Sequence, residues 1–558
     1  MHSLETQRLL LWGAFLFVCV LIYQTWVEEH RPPPNIAPIM ENSGASSDLP
    51  TIDFADDRPS SLPTEGSDVP IMPDDPIQIA KSMMVPSGER IRVTTDVMDL
   101  EIDTRGGTIN KVDLVQHRAE ADVSEVPFRM FDDSMDNFYI AQSGLLGNQD
   151  TPDHKALFKA SQSRYEMSNG EELRVPLTWQ SESGVEVIKT FVFTPGDHLV
   201  QIEYAVRNQT TQPWSARAYG QLQHGGENGD TKSFFMNTYL GGAISTEEKN
   251  YEKVKFKNFE KEKLNLKNSG VWIAILQHYF VAAWVPEQDQ ENHFYTDQRP
   301  GPRYIIGVMT PAVEIAAGDV GQLHSKLYVG PKDQQRLKEI APYLDLAVDY
   351  GWLWFLAKPL FWLLEFFYGL VGNWGIAIIM VTIVVKVIFF HPSMVSYRSM
   401  ANMRRIQPKM QELKERLGDD RQAMGQAVMK LYKEEKVNPL GGCLPILIQM
   451  PVFIALYWVL LESVEMRHAP FFLWLDDLSS MDPFFILPLL MGASMFFQQR
   501  LNPTPPDPVQ AKVMQMMPIM FTVFFAFFPS GLVLYWLSNN VLSIAQQWYI
   551  TKQVEATS

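Results

Sequence analysis

The chain has 558 residues, too many for one compact hydrophobic core, so more than one folding unit is expected. Its net charge of −17 lies almost wholly in residues 27–345, with 48 acidic against 30 basic side chains; the remainder is nearly balanced, 16 against 17. A chain without a basic footprint is a poor nucleic-acid binder, and two distant cysteines, Cys19 and Cys443, suit neither a disulfide framework nor a metal site.

Taken in chain order, residues 1–26 end in eighteen uncharged residues, Leu9 to Trp26, preceded by Arg8. The small residues a signal peptidase needs are missing after this apolar run, so an uncleaved signal anchor with a cytoplasmic N-terminus is predicted. Residues 27–86 are rich in Pro, Ser and Asp, with few aromatics and three basic residues after Val27. Such a composition cannot bury enough to offset chain entropy and predicts a disordered tether. Residues 87–345 change to period two, as in "RIRVTTDVMDLEID" and "EVIKTFVFTPGDHLVQIEYAVRN", with turns at Arg105 to Gly107 and at Pro195 to Asp197. The repeated short strands predict an all-β sandwich, ending in a short polar helix over 331–345. "HGGENGDTKS" (224–233) superficially resembles a phosphate loop but lacks the Gly before Lys232, and HExxH, CxxC and GxSxG are absent. No catalytic residue, metal site or cofactor is expected.

Residues 346–372 crowd Trp352, Trp354, Phe355, Phe361, Trp362, Phe366 and Phe367 around Pro359, a pattern for a helix lying in the membrane interface, with a further span as the alternative. Five apolar segments follow: Gly375 to Phe390 (within a second span over 373–392), then Leu440 to Leu461, Pro483 to Phe497, Met514 to Phe528 and Gly531 to Ile550 within residues 441–558. Several fall short of the ~20 residues of an ordinary span, which implies a thinned bilayer or a wet cavity. The loop over 393–440 carries ten Lys or Arg and belongs in the cytoplasm. With the anchor this makes six spans, both termini inside and residues 27–345 outside.

Within the second span stands Lys386, in "VTIVVKVIFFHP", about twelve residues or ~18 Å past Trp374. Its stem is long enough to snorkel to the inner headgroups. The other reading is a charge facing a watery groove, since Thr382 and Ser393 share its helical face. Gln449, Gln498, Thr522, Ser538, Asn539, Asn540, Ser543 and Gln546 add polar groups in the other spans, and no acidic residue lies deep enough to pair with it. A lone cation in amide and hydroxyl company suits an anionic visitor, either an acidic client segment or the substrate of a small-anion transporter. The cytoplasmic loop reads as a helical hairpin around Gly418 to Asp420. Its methionines, Met403, Met410 and Met424 among them, form either a packing face or an adaptable client-binding face.

The strings "LGDDRQ", "YKEEKVNPLGGCLPILIQMPVFIALYWVL" and "FFPSGLVLYWLSNN", within about residues 350–550, closely resemble the YidC/Oxa/Alb family of membrane insertases. The resemblance implies a multi-pass α-helical inner-membrane protein of six spans. It implies a five-span insertase core, a hydrophilic groove open to cytoplasm and lipid, and a large periplasmic all-β supersandwich domain, as in Gram-negative bacteria. It implies a groove charge at Lys386 with client contacts at Phe453, Tyr535 and Trp536. With the polar positions read above, the expected groove is Lys386, Thr382, Gln449, Phe453, Thr522, Tyr535, Trp536 and Asn539, and the hairpin residues Met403, Arg404, Arg405, Met410 and Met424 are expected to meet clients or partners. Arginine is usual in the family where this chain has Lys386, so carboxylate recognition here rests on a point charge rather than a planar fork. Implied partners are nascent membrane proteins, membrane lipids, the SecYEG translocon and SecDF, with the ribosome and the signal recognition particle pathway as further ones. The tail after Lys552 lacks a long basic extension, which speaks against ribosome docking through it.

Overall fold

The computed structural model describes residues 88–556, apart from 121–125, 148–149, 169, 227–237, 247, 260, 262, 300–302, 418–420, 436, 438–443 and 503–507. The predicted anchor and tether, the Gly418 to Asp420 turn, Cys443 and most of the phosphate-loop-like stretch lie outside the described residues. The described chain forms two compact units. A β unit runs to Asp349 and includes Glu462–Val464; a helical unit takes Tyr350–Leu461 and continues from Glu465.

Strict alternation builds the β unit. In the strand Leu199–Asn208, Val200, Ile202, Tyr204 and Val206 are buried while Gln201, Glu203 and Arg207 turn outward. This strand pairs antiparallel with Val185–Phe193 across the predicted turn, where Gly196 takes φ +72°. The other predicted turn joins Met98–Asp103 to Thr108–Arg118, with Gly106 and Gly107 at φ +70° and +61°, a backbone that favours glycine. The strands form an eleven-stranded and a nine-stranded sheet, antiparallel except where Arg90–Thr94 meets Arg164–Glu166. A shared core packs Val93, Ile102, Leu114 and Phe131 with Val187, Phe191, Ile202 and Leu327. Gly220 allows the Trp284 ring to lie against its strand, since a Cβ there would stand 2.5–2.7 Å from ring atoms.

One inward position breaks the apolar rule. Lys189 has no exposed surface, and its Nζ donates to the carbonyls of Gly106 (2.7 Å), Ser143 (2.9 Å) and Gly107 (3.3 Å). The rings of Phe191, Tyr204 and Phe158 surround it. The turn glycines therefore aim their carbonyls into the core, and a lysine from the facing sheet satisfies them. Helix α1 (Gln334–Ile340) is the predicted polar helix; Asp333 caps it by accepting from the backbone N–H groups of Gln335 and Arg336. Its Leu337 packs on Trp272, Ala274 and Tyr328.

The helical unit contains α2 (Trp354–Val371), α3 (Trp374–Ile388), α4 (Phe390–Arg405), α5 (Gln407–Leu417), α6 (Arg421–Glu434), α7 (Leu444–Glu462), α8 (Ile486–Leu501), α9 (Pro508–Phe525) and α10 (Ser530–Ala556). The five apolar segments of the sequence fall on α3, α7, α8, α9 and α10. By length and hydropathy alone, Gly351–Val371 is long and apolar enough to cross a membrane, and α3 with α4 qualifies as a pair bent by 70°. Helix α2 is two-faced: Ala357, Leu360, Phe361 and Leu364 are buried, while Trp354, Phe355, Trp362 and Phe366 are exposed. The bend falls at Phe389, and Pro392 then sits in the first turn of α4, where a missing N–H costs nothing. In the hairpin, α5 and α6 enclose a small core of Ile406, Met410, Val428, Leu431 and Tyr432, with Met403, Met424 and Met429 against it.

Candidate groove in the helical unit

Helix α3 is set at its start. Asn373 caps it by accepting from the Ile376 N–H (3.0 Å) and donates to the Phe471 carbonyl (3.3 Å), and Gly375 lets Phe471 lie close. From that anchor the helix carries Lys386 to α10. There Nζ donates to Ser543 Oγ at 2.7 Å, and Ser543 in turn donates to the Asn539 carbonyl at 2.7 Å, one turn earlier. No carboxylate forms an ion pair with Lys386 among the described residues.

Residues Tyr535, Asn539 and Ser543 recur every four positions and so share one face of α10 over ~12 Å. At the other end of this stripe Gln449 of α7 donates to the Tyr535 hydroxyl at 2.6 Å. Beside it lies an aromatic wall: Phe453 meets Trp536 edge-on at 4.6 Å, and Phe525 lies 5.2 Å from Trp536. The Trp536 indole nitrogen and the Asn539 side-chain oxygen are buried without a hydrogen-bond partner among the described residues. The stripe thus offers a cation, a donor and an acceptor along one wall, bordered by rings.

The remaining polar residues of α10 do something else. Asn540 donates to Ser494 and Gln547 donates to Leu501 and Asn502, so these side chains fasten α10 to α8 and to the residue after it. On the helix Asn540 and Gln547 neighbour Ser543, three residues before it and four after, so their bonds to Ser494, Leu501 and Asn502 rather than their spacing set them apart.

Of the expected groove residues, Lys386, Gln449, Phe453, Tyr535, Trp536 and Asn539 fall on this stripe and its wall. Two do not. Thr382 has no exposed surface and donates to the Ile378 carbonyl of its own helix (2.7 Å). Thr522 donates to the Pro518 carbonyl (2.7 Å) and faces Gly492 of α8. Both threonine hydroxyls thus give their hydrogen to the backbone of their own helix. In the hairpin Arg404 and Arg405 are exposed, whereas Met410 is 5% exposed and serves the hairpin's own core, with Met403 and Met424 half-buried against it. Ser543 is the residue whose role the sequence left undefined; its spacing from Tyr535 and Asn539 is the signal that places it.

Comparison with known proteins agrees with this architecture. Residues 90–363 match the YidC periplasmic domain and residues 366–557 match the 60Kd inner membrane protein family. A protein of Methylococcus capsulatus called membrane protein insertase YidC is 48% identical over 558 residues, covering 99% of both chains. Another of that name from Thioalkalivibrio sulfidiphilus is 48% identical over 566 residues, again covering 99% of both. A crystal structure of an active YidC insertase with its first transmembrane domain resolved aligns over 83% of this chain and 93% of its own, at 17% identity and a TM-score of 0.40. Near-half identity sustained over almost the full length, across both units, shows that this chain belongs to the YidC family of membrane protein insertases.

Proposed function

We propose that the chain inserts nascent membrane proteins into the bacterial inner membrane through the polar stripe of α10. Its family supports the insertase activity and the periplasmic placing of the β unit. The finer reading adds six spans, with α2 in the outer interface and both termini in the cytoplasm. In this reading an apolar client segment with a short acidic tail enters from the cytoplasm, and Lys386 attracts the tail's carboxylates. The tail passes along the stripe, where the Trp536 N–H and the Asn539 side-chain oxygen offer a donor and an acceptor to its backbone. The apolar segment then leaves past Phe453, Tyr535 and Trp536 into lipid. Bringing a charge to the bilayer centre costs about 2.5–3.5 kcal/mol on insertion scales, so even partial compensation by an ammonium matters. Partition of the client's own apolar segment drives the step, with no nucleotide required.

One observation carries this reading: Lys386 is held by a hydroxyl and faces no carboxylate among the described residues. A cation without a counter-charge inside an apolar helix bundle is costly, and such intramembrane charges mark functional sites. The small-anion transporter alternative rested on the same lysine, and family membership supports insertion instead. SecYEG, SecDF, the ribosome and the signal recognition particle pathway are proposed partners. The exposed Arg404 and Arg405 are the hairpin's proposed contacts with them. The test is to deplete a host of its own insertase and supply this chain with Lys386→Ala, Lys386→Glu or Lys386→Arg, following insertion of a single-span client with an acidic tail. Lys386→Glu should insert it more slowly than Lys386→Ala, and Lys386→Arg should come near the wild type. Wild-type rates for both the alanine and glutamate variants would refute the electrostatic role.

A further inference from the structure

We infer that Ser543 is a positioning residue that holds the Lys386 ammonium in the groove; the inference rests on the reading of Lys386 given above. A lysine is a compact charge on a flexible stem, and Lys386 lies only two residues before the end of α3 at Ile388. Nothing in the helix itself prevents the stem from reaching the inner headgroups. What opposes that is a bond to another helix, Nζ to Ser543 Oγ at 2.7 Å.

The direction of that bond is fixed by the second one. Ser543 Oγ commits its only hydrogen to the Asn539 carbonyl at 2.7 Å, so toward Lys386 it can act only as an acceptor. The serine is 3% exposed, which leaves its hydroxyl little freedom to reorient. Beyond the α3–α4 bend the buried Tyr397 packs with Ile550 of α10. The Ser543 oxygen thus ties the charge on α3 to the polar stripe of α10.

A serine differs here from the obvious alternative, a carboxylate. Asp or Glu would hold the ammonium more firmly but would cancel the charge a client is meant to meet. The hydroxyl uses one of three N–H bonds and leaves two, with the full positive charge, for an incoming carboxylate. The chemistry this selects for is an acidic peptide segment at the depth of Ser543.

The experiment compares full-length wild type, Ser543→Ala, Ser543→Thr and Lys386→Ala in insertase-depleted cells, with protein levels matched by immunoblot. Each is given two single-span clients, one with two acidic residues in its tail and one with these changed to Asn or Gln. The readout is the ratio of their initial insertion rates. Ser543→Ala should lower the acidic-to-neutral ratio by about tenfold or more, the size of losing one hydrogen bond to a charged group, and Ser543→Thr should restore it. If Ser543→Ala does not accumulate, Ser543→Cys keeps the volume with a weak acceptor and carries the same expectation. An unchanged ratio in Ser543→Ala beside a lowered one in Lys386→Ala overturns the positioning role and leaves the groove reading standing. Equal slowing of both clients, or no rescue by threonine, marks a purely structural serine and also overturns it. An unchanged ratio in Lys386→Ala overturns both.

Discussion

Lys189 offers the sharpest physical test of the β unit. Replacing it with methionine keeps an unbranched stem among Phe158, Phe191 and Tyr204 but removes the donor that serves Gly106 and Ser143 at 2.7 and 2.9 Å. Two buried carbonyls then lose their partner at about 1–3 kcal/mol each, partly offset because no amine has to be desolvated. The net loss should be about 2–4 kcal/mol, which lowers the unfolding midpoint of a unit this size by roughly 5–15 °C. Burial holds the Lys189 amine well below its ordinary 10.5, and this fixes the sign of the pH dependence. Below the lowered folded-state value the amine is charged in both states and the wild type bears the whole burial cost; above 10.5 it is neutral in both. Between these limits the unfolded chain holds the extra proton, so wild-type stability climbs with pH, by at most about 1.4 kcal/mol per unit. The gap between wild type and Lys189→Met should therefore widen as pH rises toward 10.5, as read from near-ultraviolet circular dichroism melts of the full protein in detergent. A midpoint within about 2 °C of wild type, or a gap that does not move with pH, would refute the reasoning.

Two close approaches of glycine give further checks. Gly220→Ala would place a methyl 2.5–2.7 Å from the Trp284 ring between the sheets, and should cost about 1–3 kcal/mol with a changed tryptophan signal in the same melts. Gly492→Ala would stand 1.9 Å from Thr522 Oγ1 and should destabilise the α8–α9 contact by a similar amount, about 1–3 kcal/mol; adding Thr522→Ala should restore most of the loss in a detergent thermal-stability assay.

Much of the architecture is legible in the residues because it follows from period. Alternation in "HLVQIEYAVRN" puts Val200, Ile202, Tyr204 and Val206 on one face, and no tertiary contact is needed to see it. The turn glycines are equally plain. Lys189 is not: within "VEVIKTFVF" it holds an inward position that the pattern assigns to an apolar side chain, and its partners are the carbonyls of a turn more than eighty residues away. In the helical unit, charge marks Lys386, whereas Phe453 and Trp536 are singled out only by the family resemblance. Polarity alone does not place Thr382 and Thr522, since each hydroxyl donates to a carbonyl of its own helix. Methionine at helical spacing was ambiguous for a similar reason, and Met410 resolves toward packing because its neighbour Tyr432 reaches its sulfur at 3.5 Å. Spacing sets Ser543 in line with Tyr535 and Asn539, but its bond to Lys386, 157 residues away, depends on which helix faces which, a long-range fact that no local window contains.

The 70° break at Phe389 also decides where the basic residues go. A straight continuation of α3 would carry Arg398, Arg404 and Arg405 away from the bilayer along its normal. With α3 along that normal, the sixteen residues of α4 instead run within about 20° of the leaflet plane, a lateral reach of ~24 Å. In the proposed topology Arg398, Arg404 and Arg405 would then lie level with the inner headgroups, an outrigger against tilting of the helix bearing Lys386.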